Sequence, residues 1–312
     1  MLNDALPLAR HVLNRDASAR ADESLLARLR ASNATRVLAV HAGTILRAQQ
    51  RDGSEPAIAW LNPFEVPDAA IWLFLAPNTL AAVLTTEQAE QLEPEALRWA
   101  GLRSLATELT DEDNAYAVEA VALANWHESH GFCPRCGAAT EVIKSGWVRR
   151  CPVENSELFP RTDAAVIVRI TDSDDRLLLG SNVAWEKNRY SLLAGFVDPG
   201  ESLEAAVVRE VFEESGVRIV EPRYLGSQPW PFPASLMVGF EAKLAVDQSP
   251  EATLPDGEEI IELRWFSRDD VRSAGESVLL PGPISIAGAM IREWLDAEPS
   301  GASATQSAGP NS

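Results

Sequence analysis

Three glutamates grouped on one predicted helical turn constrain this chain more than any other feature. Glu213 and Glu214 follow Glu210 by three and four residues. On a helix, these two spacings place side chains on the same face, where like charges repel each other. A chain that keeps such a cluster usually supplies a cation, and oxygen ligands alone favour a hard ion such as Mg²⁺ or Mn²⁺. Because such ions bind phosphate groups, the cluster points to phosphate chemistry.

The residues around the cluster predict a loop that leads into a capped helix. Gly195 permits unusual backbone angles or a close approach to a ligand, and Pro199-Gly200 is a turn signal. Ser202 or Glu201 is expected to cap the helix, and Gly216 to end it. Arg209, eight residues after Glu201, is expected to reach back to that carboxylate and join the loop to the helix. The alternative is an ordinary acidic helix whose glutamates are only solvated. The predicted apolar face consists of Leu203, Ala206, Val207 and Val211.

The segment resembles the Nudix box, Gly-x5-Glu-x7-Arg-Glu-(aliphatic)-x-Glu-Glu-x-Gly-(aliphatic). Every defined position is filled, by Gly195, Glu201, Arg209, Glu210, Val211, Glu213, Glu214, Gly216 and Val217. The resemblance implies hydrolysis of a nucleoside diphosphate linked to another moiety, with divalent cations. It also implies a role for each group of residues. The metal ligands would be Glu210, Glu213, Glu214 and the carbonyl of Ala194, with Glu213 or Glu214 catalytic. The structural positions would be Gly195, Glu201, Arg209 and Gly216.

A second motif follows the box, Ser227-Gln228-Pro229-Trp230-Pro231-Phe232-Pro233-Ala234-Ser235. Three prolines in this segment are incompatible with a central strand or a helix interior. The segment is therefore predicted to be stiff and to present Trp230 and Phe232 as stacking partners for planar rings. The alternative is a connector with two core aromatics. The motif resembles the signature of the NADH pyrophosphatase branch of the family. That resemblance implies contacts to the dinucleotide from Gln228, Pro229, Trp230, Pro231, Phe232, Pro233, Ala234 and Ser235.

Three further positions follow from the same resemblance. Phe159 stands where the branch has an aromatic that stacks on the substrate. Glu259 matches a distal carboxylate that reaches the metals, with Glu258 and Glu262 as neighbouring alternatives and a solvated acidic loop as the other interpretation. Ala287 matches a backbone contact of the substrate pocket.

A cysteine knuckle lies upstream of the box. Cys133 and Cys136 have the spacing of a zinc knuckle, and Cys151 follows where the second half of a zinc ribbon would begin. The branch carries a fourth cysteine, but position 154 is Glu154. Zinc held by the three cysteines and a further donor, zinc held weakly, and a metal-free hairpin all remain open. The candidate fourth ligands are Glu154, His127 and His130. The odd cysteine count disfavours a disulfide framework.

Composition bounds the remaining interpretation. The chain has 312 residues, 46% of them hydrophobic, and a net charge of −19. This length has room for two domains, and the acidity argues against a broad electrostatic grip on nucleic acid. This acidity is still compatible with an RNA substrate if recognition is confined to the RNA terminus. No apolar run predicts a membrane span, and no leader is recognised, so a cytoplasmic location is expected.

The predicted fold class is α+β. We expect an N-terminal α+β domain (1–110), a linking helix (111–130), a small zinc-ribbon-like hairpin (131–158), a catalytic domain (159–298) and a disordered tail (299–312). In the N-terminal domain, strands are predicted over Thr35–Val40, Ala57–Leu61 and Ala70–Leu75, followed by a helix over Glu87–Leu105. The linking helix is predicted to have a narrow apolar face of Ala117, Ala120, Val121 and Ala124. The resemblance implies that the catalytic domain is a Nudix α/β/α sandwich with a mixed sheet.

The function implied by the resemblance is metal-dependent hydrolysis of NAD(H) to NMN(H) and AMP. The same bond occurs in RNA that begins with NAD, so removal of that cap is also expected. The branch resemblance suggests a homodimer. Two alternatives come from other classes, a module that senses NAD or ADP-ribose without cleaving it, and a zinc-ribbon interaction protein. All box glutamates are present, which weighs against the first, and the missing fourth thiolate weighs against the second.

Overall fold

The computed structural model describes residues 2–49, 57–273 and 275–297. The chain divides into two compact units. The first comprises Asn3–Ala164 and Ser227–Met237, and the second comprises Ala165–Gly226 and the chain from Val238 onward. The predicted tail, 299–312, lies outside the described residues. The predicted domain boundaries remain a prediction.

The first unit contains a five-stranded mixed sheet in the order β3-β4-β1-β2-β5, in which β1 and β4 are parallel and the other neighbours antiparallel. Two predicted strands are confirmed to within a residue, and the one predicted over Ala57–Leu61 is reduced to isolated bridges at Ile58 and Leu61. The strands are β1 Arg36–His41, β2 Thr44–Leu46, β3 Ile71–Ala76, β4 Thr79–Val83 and β5 Trp99–Gly101.

The helices of the first unit are shorter than predicted in one place. The prediction of a single helix over Glu87–Leu105 is wrong. Glu93 ends α2 in an extended conformation because the next residue is Pro94, and the chain then forms a 3₁₀ turn, β5 and α3. The α-helices are α1 Leu25–Arg30, α2 Thr86–Leu92, α3 Leu102–Leu105 and α4 Asp111–Ser129. The 3₁₀ turns are Leu2–Ala5, Ala19–Ala21, Pro63–Glu65, Ala96–Arg98 and Lys144–Gly146.

The linking helix α4 is confirmed and packs on the sheet of the first unit, where it contacts β1, β2 and β3. Thr110 caps it, because its side chain accepts a hydrogen bond from the N–H of Asp113. The predicted apolar face is fully buried; it consists of Ala117, Ala120, Val121 and Ala124. After α4 comes a small antiparallel sheet of β6 Glu141–Ile143, β7 Val148–Arg150 and β8 Glu157–Leu158.

The second unit is built on a six-stranded sheet, with β12-β13-β9-β10-β14 along the main path and β11 paired with β9. The sequence analysis did not predict β12, which contains Pro222 and Pro229. It lies at the edge of this order, where a missing N–H leaves no ladder bond unmade. The strands are β9 Asp163–Thr171, β10 Leu177–Asn182, β11 Leu193–Phe196, β12 Ile219–Trp230, β13 Ser235–Leu244 and β14 Ile260–Phe266.

Helices pack against this sheet and supply its core. Helix α5, Leu203–Ser215, contacts β11 and β14 and buries Ala206, Val207 and Val211 completely. Helix α7, Ile286–Asp296, brings Ile286 and Met290 against the backbone of Gly239. The remaining elements are α6 Arg268–Ser273 and the 3₁₀ turns Pro250–Ala252 and Gly275–Ser277. The α+β class with mixed sheets is confirmed. Among the described residues, no helix has the length and apolar character needed to cross a membrane.

Candidate active site

Helix α5 carries the glutamate cluster and has the predicted ends. Ser202 caps its start, with its hydroxyl accepting a hydrogen bond from the N–H of Ala205 at 3.2 Å. Gly216 ends it with φ of 69°, a left-handed conformation that favours glycine. These two local signals fix which helical turn presents Glu210, Glu213 and Glu214.

Arg209 joins the preceding loop to this helix. Its Nε and Nη2 donate to the two carboxylate oxygens of Glu201 at 3.0 and 2.8 Å. Its Nη2 also donates to the carbonyl of Phe196 at 2.9 Å. This pairing lowers the pKa of Glu201. The structure thus contains the contact between Arg209 and Glu201 that the sequence predicted.

The same guanidinium neutralises two of the three box glutamates. Arg209 Nη1 donates to Glu210 Oε1 at 2.8 Å and to Glu213 Oε2 at 2.9 Å. Glu210 lies over the backbone of Gly195, where a Cβ would overlap its carboxyl group. Glycine is therefore required at this position by packing, and Glu210 is held between Gly195 and Arg209.

Glu214 occupies a different environment from its neighbours. The residue is only 6% exposed, and its Oε2 has no hydrogen-bond partner. Burial raises the pKa of Glu214 to about 8, with further contributions from Glu210, Glu259 and Asp256 and an opposing one from the Ala194 N–H. A buried, incompletely bonded carboxylate among other carboxylates is the kind of group that a cation stabilises.

Glu213 points elsewhere. Its side chain is 57% exposed and bonds to Arg209. Among the described residues, only the three cysteines bring three potential ligand atoms within 4.8 Å of one another. The structure therefore places Glu210 and Glu214 near Gly195 and Ala194, with Glu213 on the solvent side.

A loop before β14 brings further carboxylates toward Glu214. Both Glu259 and Asp256 raise the pKa of Glu214. The Oδ1 of Asp256 also accepts hydrogen bonds from the N–H groups of Glu258, Glu259 and Ile260 at 2.7, 2.9 and 3.0 Å. Glu262, one of the predicted alternatives, instead acts on Tyr190, whose pKa is raised by burial and then by the Glu262 carboxylate. The Asp256-Gly257 pair is a turn signal that could have identified the residue that organises this loop.

The proline-rich segment forms a hairpin in the first unit. It comprises the end of β12, a turn over 231–234 and the start of β13. The ring centroids of Trp230 and Phe232 lie 4.9 Å apart, edge to face, and the Arg103 guanidinium lies 4.4 Å from the Phe232 ring. Both rings are half-buried, and Gln228 is fully buried.

The hairpin is anchored to the linking helix. Asn125 Nδ2 donates to the carbonyls of Pro231 at 3.0 Å and Pro233 at 3.2 Å. A cavity of about 260 Å³ lies beside it and includes among its lining residues Glu119, Trp147, Pro229, Trp230, Ala234 and Ser235. Five of the predicted signature contacts thus line a cavity of a size that accepts one planar ring, whereas Gln228, Phe232 and Pro233 do not line it.

The two remaining predicted substrate contacts differ in exposure. Phe159 is 59% exposed and therefore free to stack. Ala287 is buried in the first turn of α7, which Ser285 caps through the N–H of Gly288. Only its backbone is available for a contact. The sequence analysis missed Phe196, an aromatic residue that directly follows Gly195 and is 60% exposed.

The cysteines come together in the small sheet region. The ligand atoms of Cys133, Cys136 and Cys151 lie within 4.8 Å of one another, and the sulfurs of Cys136 and Cys151 are 3.4 Å apart. The N–H of Glu154 donates to Cys151 Sγ at 3.4 Å, while its carboxylate pairs with Arg135 at 3.3 Å. Three thiolates so arranged fit zinc, which prefers sulfur ligands in structural sites.

Comparison with known proteins places these sites in one family. The NUDIX domain model matches residues 160–283, and the NADH pyrophosphatase zinc ribbon domain model matches residues 128–157. A relative from Pseudomonas syringae pv. syringae, NAD-capped RNA hydrolase NudC, is 41% identical over 208 residues, which cover 67% of this chain and 70% of that protein. The chain belongs to the Nudix family.

Two further similar proteins are a second NudC and a solved NUDIX hydrolase. NAD-capped RNA hydrolase NudC from Mycobacterium bovis is 46% identical over 207 residues, 63% of this chain. The chain spans 65% of the length of that curated relative. A solved NUDIX hydrolase from Nitrosomonas europaea is 24% identical, with a TM-score of 0.37 over 44% of this chain and 77% of that one.

The Nudix site of this chain fits a divalent cation. Nudix hydrolases depend on such ions, and the fit rests on an observation of this structure. Glu214 Oε2 is buried without a partner while Glu210, Asp256 and Glu259 add negative charge around it. Its ligand atoms would all be oxygens, which suits a hard ion. The ribbon of the same Nudix chain offers sulfur and suits zinc.

Proposed function

We propose that this chain hydrolyses the pyrophosphate of NAD(H) to NMN(H) and AMP. We extend the proposal to RNA that begins with NAD, from which the same cleavage leaves a 5′-monophosphate. The observation that carries the proposal is the buried, partly unbonded carboxylate of Glu214 on a complete Nudix box helix. The relatives named NAD-capped RNA hydrolase support the choice of substrate.

The proposed ion is Mg²⁺ or Mn²⁺, held by Glu210, Glu213, Glu214, Glu259 and the carbonyl of Ala194. When bound, it would neutralise the diphosphate and make a water molecule more acidic. Arg209 keeps Glu201, Glu210 and the 196 carbonyl in fixed positions. The catalytic base is proposed to be Glu214 or Glu213.

The proposed substrate contacts come from aromatic rings and the signature hairpin. Phe159, Trp230 and Phe232 would stack on planar rings, and the backbone of Ala287 would contribute a polar contact. We propose that the other signature residues also contact the dinucleotide. These are Gln228, Pro229, Pro231, Pro233, Ala234 and Ser235. Because Asn125 holds two carbonyls of the hairpin turn, the position of Phe232 is set before substrate arrives.

Several broader features belong to the same proposal. We infer a homodimer that acts in the cytoplasm, with a catalytic domain over 159–298 preceded by the ribbon (131–158), the linking helix (111–130) and the N-terminal domain (1–110). Zinc on Cys133, Cys136 and Cys151 would be structural. The acidity of the chain suits recognition of a cap rather than of a long RNA.

Product analysis tests the function directly. The full chain is incubated with NADH, and separately with NAD-capped RNA, in the presence of Mg²⁺ or Mn²⁺. NMNH with AMP, and NMN with 5′-monophosphate RNA, are the expected products. Glu214→Gln serves as the matched control because it keeps size and shape while removing the charge. Tight binding of NADH with no products from either substrate would favour the non-hydrolytic sensor instead.

A further inference from the structure

The ribbon contains three sulfur ligands held by its own backbone. Cys133 and Cys151 are buried, whereas Cys136 is exposed. The N–H of Glu154 donates to the sulfur of Cys151 at 3.4 Å, and the sulfurs of Cys136 and Cys151 lie 3.4 Å apart. Amide donors of this kind stabilise thiolates and fix their positions. The hairpins therefore present three prearranged ligands to one ion.

No fourth donor accompanies them in the part of the chain that the structure describes. The carboxylate of Glu154 faces Arg135 at 3.3 Å. Both ring nitrogens of His127 are engaged, Nε2 with the Gly146 carbonyl at 2.8 Å and Nδ1 with Arg149 at 2.9 Å. His130 Nδ1 is engaged with a neighbouring hydroxyl at 2.9 Å.

Of these three candidates, His127 is the most firmly excluded. It is buried, and moving it would also leave the guanidinium of Arg149 without one of its acceptors. An unmet hydrogen bond of a buried charged group is strongly destabilising. Glu154 is different, because its ion pair is with an arginine whose side chain is largely exposed. An experiment must therefore decide whether Glu154 is the fourth ligand.

We propose that zinc on Cys133, Cys136 and Cys151 keeps its fourth position for a donor from outside the chain. That donor is water in the resting protein and a small-molecule thiolate when one is available. The exposure of Cys136 places solvent at this side of the cluster. In the exchange the thiol loses its proton to solvent, the thiolate sulfur bonds to zinc, and the water leaves. Sulfur is favoured because zinc with four thiolates is a closed structural site. This inference is independent of the hydrolytic function.

Cobalt spectroscopy on the full chain tests the proposal. The metal-free protein is given one equivalent of Co²⁺ with excess Mg²⁺, so that the carboxylate site is occupied by magnesium. Thiolate-to-cobalt charge-transfer bands report the ribbon alone, since oxygen ligands give none. We expect adding 2-mercaptoethanol to shift the visible d–d bands to longer wavelength in a saturable way, with cobalt retained.

Two variants at one position provide matched controls. Glu154→Gln should bind one cobalt and respond to thiol as the wild type does. Glu154→Cys supplies the fourth thiolate from the chain, so it should show the shifted spectrum without added thiol and no further response. A changed starting spectrum or lost cobalt in Glu154→Gln would make Glu154 a ligand and overturn the proposal. Wild-type protein that ignores the thiol, or releases cobalt to it, would overturn it as well.

Discussion

The carboxylate site of α5 and the cysteine site of the ribbon are both candidate ion sites, but they are supported differently. In the carboxylate site every supporting residue touches a ligand. Gly195 leaves room for Glu210, and Arg209 bonds Glu210 and Glu213. In the ribbon, the fold has its own support away from the sulfurs. Arg149 donates to the Thr140 hydroxyl at 2.6 Å and to its carbonyl at 3.0 Å.

The two motifs differ in the same way, since one is complete and the other lacks a ligand. A change in the box removes either charge or geometry from the reacting centre. A missing ribbon thiolate leaves the buried network of His127, Thr140 and Arg149 in place. We therefore expect the carboxylate site to be sensitive to small changes and the ribbon to be tolerant of them.

The largest effect should come from Glu214→Gln. Loss of one charged ligand or base commonly lowers the rate a hundredfold or more, or about 3 kcal/mol in the barrier. Stability should not fall, because the replaced carboxylate is buried with an unbonded oxygen. Turnover with NADH at saturating metal and the melting temperature are the two measurements. Near wild-type turnover would remove Glu214 from the mechanism.

Acid should lower the free energy of unfolding of the unit that contains the ribbon, because His127 is protonated more readily in the unfolded chain. The pKa of His127 is lowered to about 4, mainly by burial; the bond to the Gly146 carbonyl opposes the shift, and the Arg149 charge adds to it. The unfolded chain, with a pKa near 6.5, therefore binds the proton first. Stability is fully present above that value and is lost as pH falls from about 6.5 to 4, by at most about 3 kcal/mol.

Urea unfolding between pH 7.5 and about 4.5 measures this loss. His127→Gln is the matched control, because an amide can donate to Gly146 and accept from Arg149 without titrating. We expect the variant to show a flatter pH dependence. An identical pH dependence in both proteins would assign the acid sensitivity to other groups.

Adding one methyl group in each region, by a Gly→Ala substitution, allows a direct comparison of the two sites. Gly195→Ala should displace Glu210, and a misplacement of about 1 Å can lower a rate roughly a hundredfold. Gly131→Ala, just before the ribbon knuckle, meets open space and should leave the rate unchanged. Steady-state kinetics with NADH measures both variants. Equal rates for the two variants would show that the protein accommodates the added Cβ at position 195 without loss of activity.

Trp230→Ala sharpens the comparison, because the signature hairpin belongs to the same compact unit as the ribbon. If that unit binds substrate, loss of stacking should weaken NADH affinity by ~1–3 kcal/mol. Calorimetric titration measures this affinity, and the Glu214→Gln background prevents turnover during the measurement. An unchanged affinity with a sharply lower melting temperature would make Trp230 a core residue.

The smallest effect on turnover is expected from removal of zinc. We predict about one zinc per chain, by analogy with structural sites of this kind. Its removal should loosen the ribbon, seen as faster amide exchange over 131–158, before NADH turnover changes in the presence of Mg²⁺. Elemental analysis of protein purified without chelator measures the zinc. Content far below one equivalent, together with full activity, would show that the ribbon folds without metal.

Local patterns predicted much of this protein. The ends of α5, the Arg209–Glu201 contact and the buried face of α4 all depend on residues within a few turns of each other. Spacing along a helix determines such contacts directly. The Nudix resemblance also depends on one continuous segment, and the comparisons confirm it.

Tertiary structure decided what depends on distant segments. Asp256 reaches the environment of Glu214 only because α5 packs against β14, and no spacing in the sequence indicates that approach. Burial of Glu214 likewise results from packing of the whole unit. Sequence alone therefore predicts which residues carry the chemistry. The surroundings that set their charge states arise from long-range packing, because desolvation depends on every segment that excludes water.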